Sequence, residues 1–227
     1  MLYFKENKLF YLILILSFSI FSIFLFYSDT NSKIYIFIST ITGGILSACI
    51  LYYIVEIIPI EEKKKNSLEV LNKTICSILE AYFKPNIFQH EKSIKYVSLD
   101  YIDSVDKIKK AQNDIKNFNI TYLQLKYPIE TAHSRYNDFQ NLLILANNLS
   151  PNHSLLWLDL IEKIRLMSEN YEEYKNLSFD IDINLLDDLV KCKNFNDKNN
   201  QTYYMCSSFQ IRVLEFFESV ENWIEKT

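Results

Sequence analysis

The chain has 227 residues and a formal net charge of −4, from 24 Lys and Arg against 28 Asp and Glu. That balance lacks the clustered basic surface that nucleic-acid binding requires. The only two glycines are Gly43 and Gly44. Phosphate-binding loops, dinucleotide-binding turns and nucleophile elbows need glycine where the backbone turns or approaches a ligand, so these sites are excluded from the rest of the chain.

Two apolar segments near the N-terminus predict membrane spans. Residues 9–27 contain only apolar side chains and three serines, and residues 34–58 contain one charged side chain, Glu56. About 20 apolar residues, rising ~1.5 Å each, cross the ~30 Å hydrocarbon core of a bilayer. The short polar connection between them predicts a helical hairpin with spans at about 9–28 and 34–58. A cleavable signal peptide is the alternative, but the apolar stretch is too long and no small-x-small site follows it.

Positive charge at the ends of the spans predicts their orientation. Only one of the six nearby lysines lies in the connection; the others flank the outer ends: Lys5, Lys8, Lys63, Lys64 and Lys65. The positive-inside rule then predicts a multi-pass inner-membrane protein with both termini in the cytoplasm. Glu56 either reaches the headgroups beside these lysines or lines a polar path. Pro59 predicts a bend or an end of the second helix.

Small residues recur at helical spacing in the second span. Residues at i, i+4 and i+8 share a face, and small side chains there let another helix approach closely. Two such rows are present: Ser39, Gly43, Ser47 and Thr40, Gly44, Ala48. Three serines supply polar positions on the first span: Ser17, Ser19 and Ser22. The rows predict either packing within the hairpin or a seam between copies of the chain that can open to water.

Residues 61–227 predict a cytoplasmic bundle of helices, so the whole chain is predicted to be all-α. Apolar spacing indicates helices over 61–83, 99–116, 131–148, 154–176, 184–193 and 202–225, with a polar loop at 194–201. Pro85 is expected to end the first of these, and Ser150 with Pro151 the third. Residues 120–127 are the best candidate for a strand, but no sustained period-2 pattern is present.

No residue pattern supports catalysis or a bound cofactor. The three histidines, His90, His133 and His153, lack metal-binding spacing and are expected at the surface or at helix caps. An EF-hand beginning at residue 180 would need glycine and glutamate where Leu185 and Lys191 stand. The arginines also lack the following histidine of all-helical HEPN nucleases. We therefore expect neither enzymatic activity, nor a metal or other cofactor, nor a direct nucleic-acid site.

The remaining reactive side chains are thiols and carboxylates. The four cysteines form no C-x-x-C pair and are expected to be free structural thiols: Cys49, Cys76, Cys192 and Cys206. Residues 159–188 carry nine carboxylates against three basic side chains. That stretch is either a solvated face or a docking surface for a basic partner.

The plan of hairpin, lysine stop at residues 63–65 and helical tail resembles the two-transmembrane effectors of bacterial retron anti-phage systems. The resemblance covers the entire chain as an arrangement of segments and includes no specific motif. It implies a toxin-like effector of abortive infection that disrupts the inner membrane once infection is sensed. It also implies self-association in lipid and a partner complex of reverse transcriptase with its RNA–DNA hybrid, contacted through the cytoplasmic domain.

Two other hypotheses remain open. The first is a membrane-tethered scaffold or sensor without pore activity, in which the hairpin only concentrates the bundle at the bilayer. The second is the membrane effector of a cyclic-nucleotide defence system, which needs a nucleotide pocket. The glycine-free tail argues against that pocket, although an aromatic site does not require glycine.

Overall fold

The structure, a computed structural model, describes residues 15–23, 33–175, 183–191 and 201–226. The described residues are helical or lie in turns between helices, and none of them is in a strand, which confirms the all-α fold class. The chain divides into two compact units, Met1–Lys63 and Lys64–Thr227.

The first unit contains helical residues 15–23 and one longer helix. Helix α1 covers Lys33–Tyr52, a π-helical turn covers Tyr53–Ile57, and helix α2 begins at Ile58. Of the two outcomes predicted at Pro59, a bend or an end of the helix, the end is wrong, because helical structure continues through it. A proline ring clashes with the carbonyl four residues earlier in a regular helix. In the preceding π turn the Ile58 N–H donates to the carbonyl of Tyr53 five residues earlier, and this wider turn accommodates the proline.

Helix α2 covers Ile58–Phe83 and enters the second unit, where it ends just before Pro85 as predicted. Two 3-10 turns follow, Gln89–Glu91 and Ile94–Tyr96. The first is fixed to α2 by an ion pair, in which Lys92 Nζ lies 2.6 and 2.8 Å from the carboxylate oxygens of the buried Glu80. A buried carboxylate needs such a partner, so this contact fixes the connecting segment.

Helix α3 covers Val105–Lys116 and begins later than the predicted residue 99. The Ser104 side chain accepts from the N–H of Lys107, which places the N-cap at this serine and leaves residues 99–103 in turns. Beyond α3, Phe118 adopts φ 62°, a left-handed conformation usually taken by glycine after a helix. The second unit has no glycine, so a bulky residue takes this position.

Helices α4, α5 and α6 cover Tyr122–Asn141, Leu143–Leu149 and Pro151–Tyr174. Thr121 and Gln124 form a reciprocal capping box at the start of α4. Residues 120–127 are therefore not a strand, and the helix predicted over 131–148 starts earlier and is interrupted at Leu142. Ser150 caps α6 and Pro151 occupies its first turn, which confirms the predicted break.

Helices α7 and α8 cover Ile183–Lys191 and Gln201–Lys226 and complete the second unit. The predicted polar loop lies outside the described residues, except for Gln201, which begins α8. Helix α6 packs most extensively against α4 and α8, and α3 also packs on α8. The core is rich in fully buried aromatic side chains: Trp157, Trp223, Tyr122, Phe139, Phe216 and Phe217.

Candidate functional site

The described part of the first unit leaves most of its apolar side chains uncovered. One helix there is long and apolar enough to cross a membrane, within residues Ser39–Phe83, and only 11% of its apolar stretch is buried. The core helix of a water-soluble bundle has the opposite character, with its apolar face covered by protein. Most of the first predicted span, residues 9–14 and 24–28, lies outside the described residues.

The two rows of small residues on α1 differ in exposure. Thr42 is 7% exposed and Ile57, in the π turn, is 3% exposed, so one side of this helical segment is covered by its own chain. Ser39 and Gly43 border that side and are half-buried. The remaining members are exposed: Thr40, Gly44, Ser47 and Ala48. Thr42 belongs to neither row, so the spacing of small residues does not predict its burial.

Neither glycine is required by packing among the residues that the structure describes. A Cβ atom built on Gly43 or on Gly44 meets no other atom within 4 Å, apart from the local helix backbone. Alanine would therefore fit at both positions and would favour the helix by about 1 kcal/mol. Gly44 also lies on the uncovered side. Because glycine has no side chain, the backbone of a second helix can approach closely at this position.

The serines of the first predicted span fall within helical residues 15–23. Ser19 Oγ donates to the Ile15 carbonyl at 2.7 Å, and Ser22 Oγ donates to the Phe18 carbonyl at 2.9 Å. These two hydroxyls are thus satisfied within their own helix, which lowers the cost of placing them in lipid. Ser17 differs, because it is buried.

The charged residues predicted at the membrane interface all lie in helical structure, in the π turn and in α2. Glu56 is exposed within the π turn, and Lys63 and Lys65 are exposed on α2. Lys64 is half-buried and belongs to the second unit, where its charge acts on His153. Lys64 is thus placed against the bundle as well as at the end of the apolar segment.

A Ser–His–Glu arrangement lies on the surface of the bundle. His133 Nδ1 is 2.9 Å from Ser168 Oγ, and its Nε2 is 3.2 Å from a carboxylate oxygen of Glu172. Ser168 is in the interior of α6, where backbone N–H groups are used by the helix itself. An acyl-transfer site needs free N–H donors for its oxyanion, so this arrangement is not a hydrolase site.

His153 is half-buried beside the cap of α6. Its Nδ1 lies 2.6 Å from Ser150 Oγ, and its ring meets Trp223 edge to face at 5.6 Å. Burial, and secondly the positive charge of Lys64, lower the pKa of His153 below its ordinary value. His153 thus favours its neutral form, in a position that agrees with the predicted cap role.

We expect this lowered pKa to make the fold less stable in mild acid. The unfolded chain binds a proton at His153 near pH ~6.5, whereas the folded chain binds it only at lower pH. The free energy of unfolding should therefore fall as the pH drops below ~6.5. His153→Asn should flatten this part of the profile, measured by denaturant unfolding of the full chain in detergent between pH 8 and 5. An unchanged slope would contradict the prediction.

The thiols and carboxylates offer no reactive centre in the described residues. Cys49, Cys76 and Cys206 are free, and burial raises the pKa of Cys76 and of Cys206 to about 12. Both stay protonated and are poor nucleophiles. Cys192 lies outside the described residues, as do residues 176–182 of the acidic stretch, and the described residues contain no cluster suited to a metal ion.

Comparison with known proteins adds no relative from which a function could be transferred. No protein family, curated protein or solved structure matches the chain.

Proposed function

We propose that the chain is a membrane-embedded, toxin-like effector that breaches the inner membrane when activated. The main support is the uncovered apolar surface of α1 and the following π turn, combined with the exposed small residues on one side of that helix. Apolar side chains in this number are stable only in lipid or against another protein. Small residues among them favour close contact between helices in a bilayer.

The proposed membrane part is a two-helix hairpin with both termini in the cytoplasm. The apolar composition of residues 9–27 and the lysines at the outer ends of both spans support this topology. Both spans have the length that a bilayer requires. The second unit, which carries its own aromatic core, is then the cytoplasmic domain that receives the activating signal.

Activation is a shift between two populations of the hairpin. A partner complex that binds the cytoplasmic unit better in the silent state holds the hairpins apart, and its loss lets them associate. Such a partner acts only through the difference between its affinities for the two states, and a shift from 1:99 to 99:1 needs about 10⁴-fold preference. The resemblance to retron effectors suggests reverse transcriptase with its RNA–DNA hybrid as that partner.

The decisive experiment is a measurement of membrane potential in growing bacteria. The chain is expressed alone and together with the genes that flank it, and a voltage-sensitive dye reports the potential before and after phage infection. We expect depolarisation with the chain alone, and with the complete set only after infection. A potential that stays unchanged in every case, with the chain present in the membrane, would overturn the leak mechanism.

A membrane-tethered scaffold is the competing function, and the compact aromatic core of the second unit fits it as well. Replacing residues 1–60 by an unrelated two-span hairpin distinguishes the two functions. A scaffold keeps its activity because only tethering matters. An effector that acts through its own helices loses it.

A further inference from the structure

The second unit contains a cleft that the sequence did not predict. It has a volume of about 340 Å³ and lies where the end of α2, the segment after it, α3 and the start of α4 meet. Small-molecule sites commonly enclose 300–1,000 Å³ and combine an apolar wall with a few polar groups. This cleft has both kinds of lining.

Three aromatic residues form the apolar wall. The rings of Phe83 and Tyr101 stack on each other, with centroids 5.2 Å apart and planes inclined by 6°. Beside them, Tyr82 is 2% exposed, lines the cleft and makes no hydrogen bond to the described residues. Burial, followed by the charge of Asp114, raises the pKa of Tyr82, so its hydroxyl keeps its proton. The Tyr82 hydroxyl is therefore a neutral polar group on the aromatic wall of the cleft.

The two lysines of the cleft form no ion pairs with the described part of the chain. Lys107 and Lys110 line it at a spacing of three on α3, so they share one face of the helix. Lys107 Nζ donates to the carbonyl of Asp100 at 3.1 Å, and Lys110 forms no ion pair with a described residue. In contrast, Lys109 on the same helix lies 3.2 Å from Glu221 and 3.6 Å from Glu225.

Two polar groups complete the lining. The Asp114 carboxylate is half-buried and has no hydrogen-bond or ion-pair partner among the residues that the structure describes. Gln124 uses its side-chain oxygen in the capping box with Thr121, which leaves its amide nitrogen free to donate. The cleft therefore offers two acceptor oxygens and an N–H donor apart from its lysines.

We propose that this cleft binds a purine mononucleotide. The phosphate lies at Lys107 and Lys110, which supply positive charge and form no ion pair with a described residue. The base lies along the aromatic wall, with Asp114 accepting from its N–H groups and the Gln124 amide donating to its ring nitrogen or carbonyl. A free anion would not use the aromatic wall, and an apolar ligand would leave the lysines and the carboxylate unpaired.

The test is isothermal titration of the purified full chain in detergent with AMP and with GMP. We expect one of them to bind at a single site with submillimolar affinity, and inorganic phosphate and the matching nucleoside to bind at least about tenfold more weakly. The variant Lys107→Ala/Lys110→Ala should weaken nucleotide binding about tenfold or more. Lys109→Ala is the matched control, since it removes one charge from the same helix outside the cleft, and it should bind normally.

Three results would overturn the proposal. These are absence of binding by both nucleotides, equal binding of inorganic phosphate, or normal binding by the double variant. Tyr82→Phe removes only the unpartnered hydroxyl and should weaken binding a few fold. Circular dichroism with a thermal transition checks that each variant is folded. The proposal does not rest on the membrane leak, because binding is measured on the isolated protein.

Discussion

Replacing Trp157 by alanine is expected to destabilise the second unit by about 3–5 kcal/mol. Trp157 is 0% exposed, stacks on Phe139 with ring centroids 5.0 Å apart, and meets Trp223 edge to face at 5.4 Å. Its indole N–H donates to the Phe139 carbonyl at 2.9 Å, near the end of α4 where helix carbonyls lack helical partners. The substitution therefore creates a cavity and also removes a buried hydrogen bond.

The measurement is denaturant unfolding of the full chain in detergent, followed by circular dichroism and by the fluorescence of the one remaining tryptophan. Trp157→Phe keeps an aromatic ring and loses the donor, so it should cost less, with about 1–3 kcal/mol from the unsatisfied carbonyl. Leu155→Ala, on the same helix but exposed, should change stability by no more than about 0.5 kcal/mol. If Trp157→Ala lowers the free energy of unfolding by less than about 1 kcal/mol, the indole does not contribute to core stability as expected.

Helix ends were predictable where one local signal dominates. Pro85 ends α2, and Ser150 with Pro151 separates α5 from α6, because proline and a capping hydroxyl act on the backbone beside them. At Pro59 a bend or an end was predicted, and the end is wrong, because a π turn absorbs the clash and the helix continues. Apolar spacing likewise predicted that α3 begins at residue 99. The cap at Ser104 instead decides where that helix starts.

Features that depend on tertiary contact could not be predicted from spacing. The cleft joins Tyr82 and Lys110 with Gln124, residues from three elements that the linear pattern does not connect. The small residues of the second span were found from the sequence, but periodicity alone does not say which side of a helix its own chain covers. That distinction depends on Thr42, whose burial leaves Gly44 on the uncovered side.

Gly44→Leu is expected to abolish membrane depolarisation while leaving the protein in the membrane. Successive residues are 100° apart around a helix, so Gly44 lies about 200° from the covered Thr42, on the side available to another copy. A leucine there keeps helices from approaching closely, adds apolar surface that lipid accepts, and leaves the covered side unchanged. Gly43→Leu should act in the same direction, but it borders the covered side and is the less selective test.

The first control changes only the size of the side chain at position 44. Gly44→Ala keeps a small residue, meets no atom within 4 Å, and should retain depolarisation. Ile45→Leu exchanges one exposed apolar residue for another on the next position and should also be active. Dye fluorescence reports the potential, and carbonate extraction checks that each variant stays in the membrane. If Gly44→Leu depolarises cells as fully as Gly44→Ala at equal abundance, close approach at this face is not the route to the leak, because only the larger side chain prevents it.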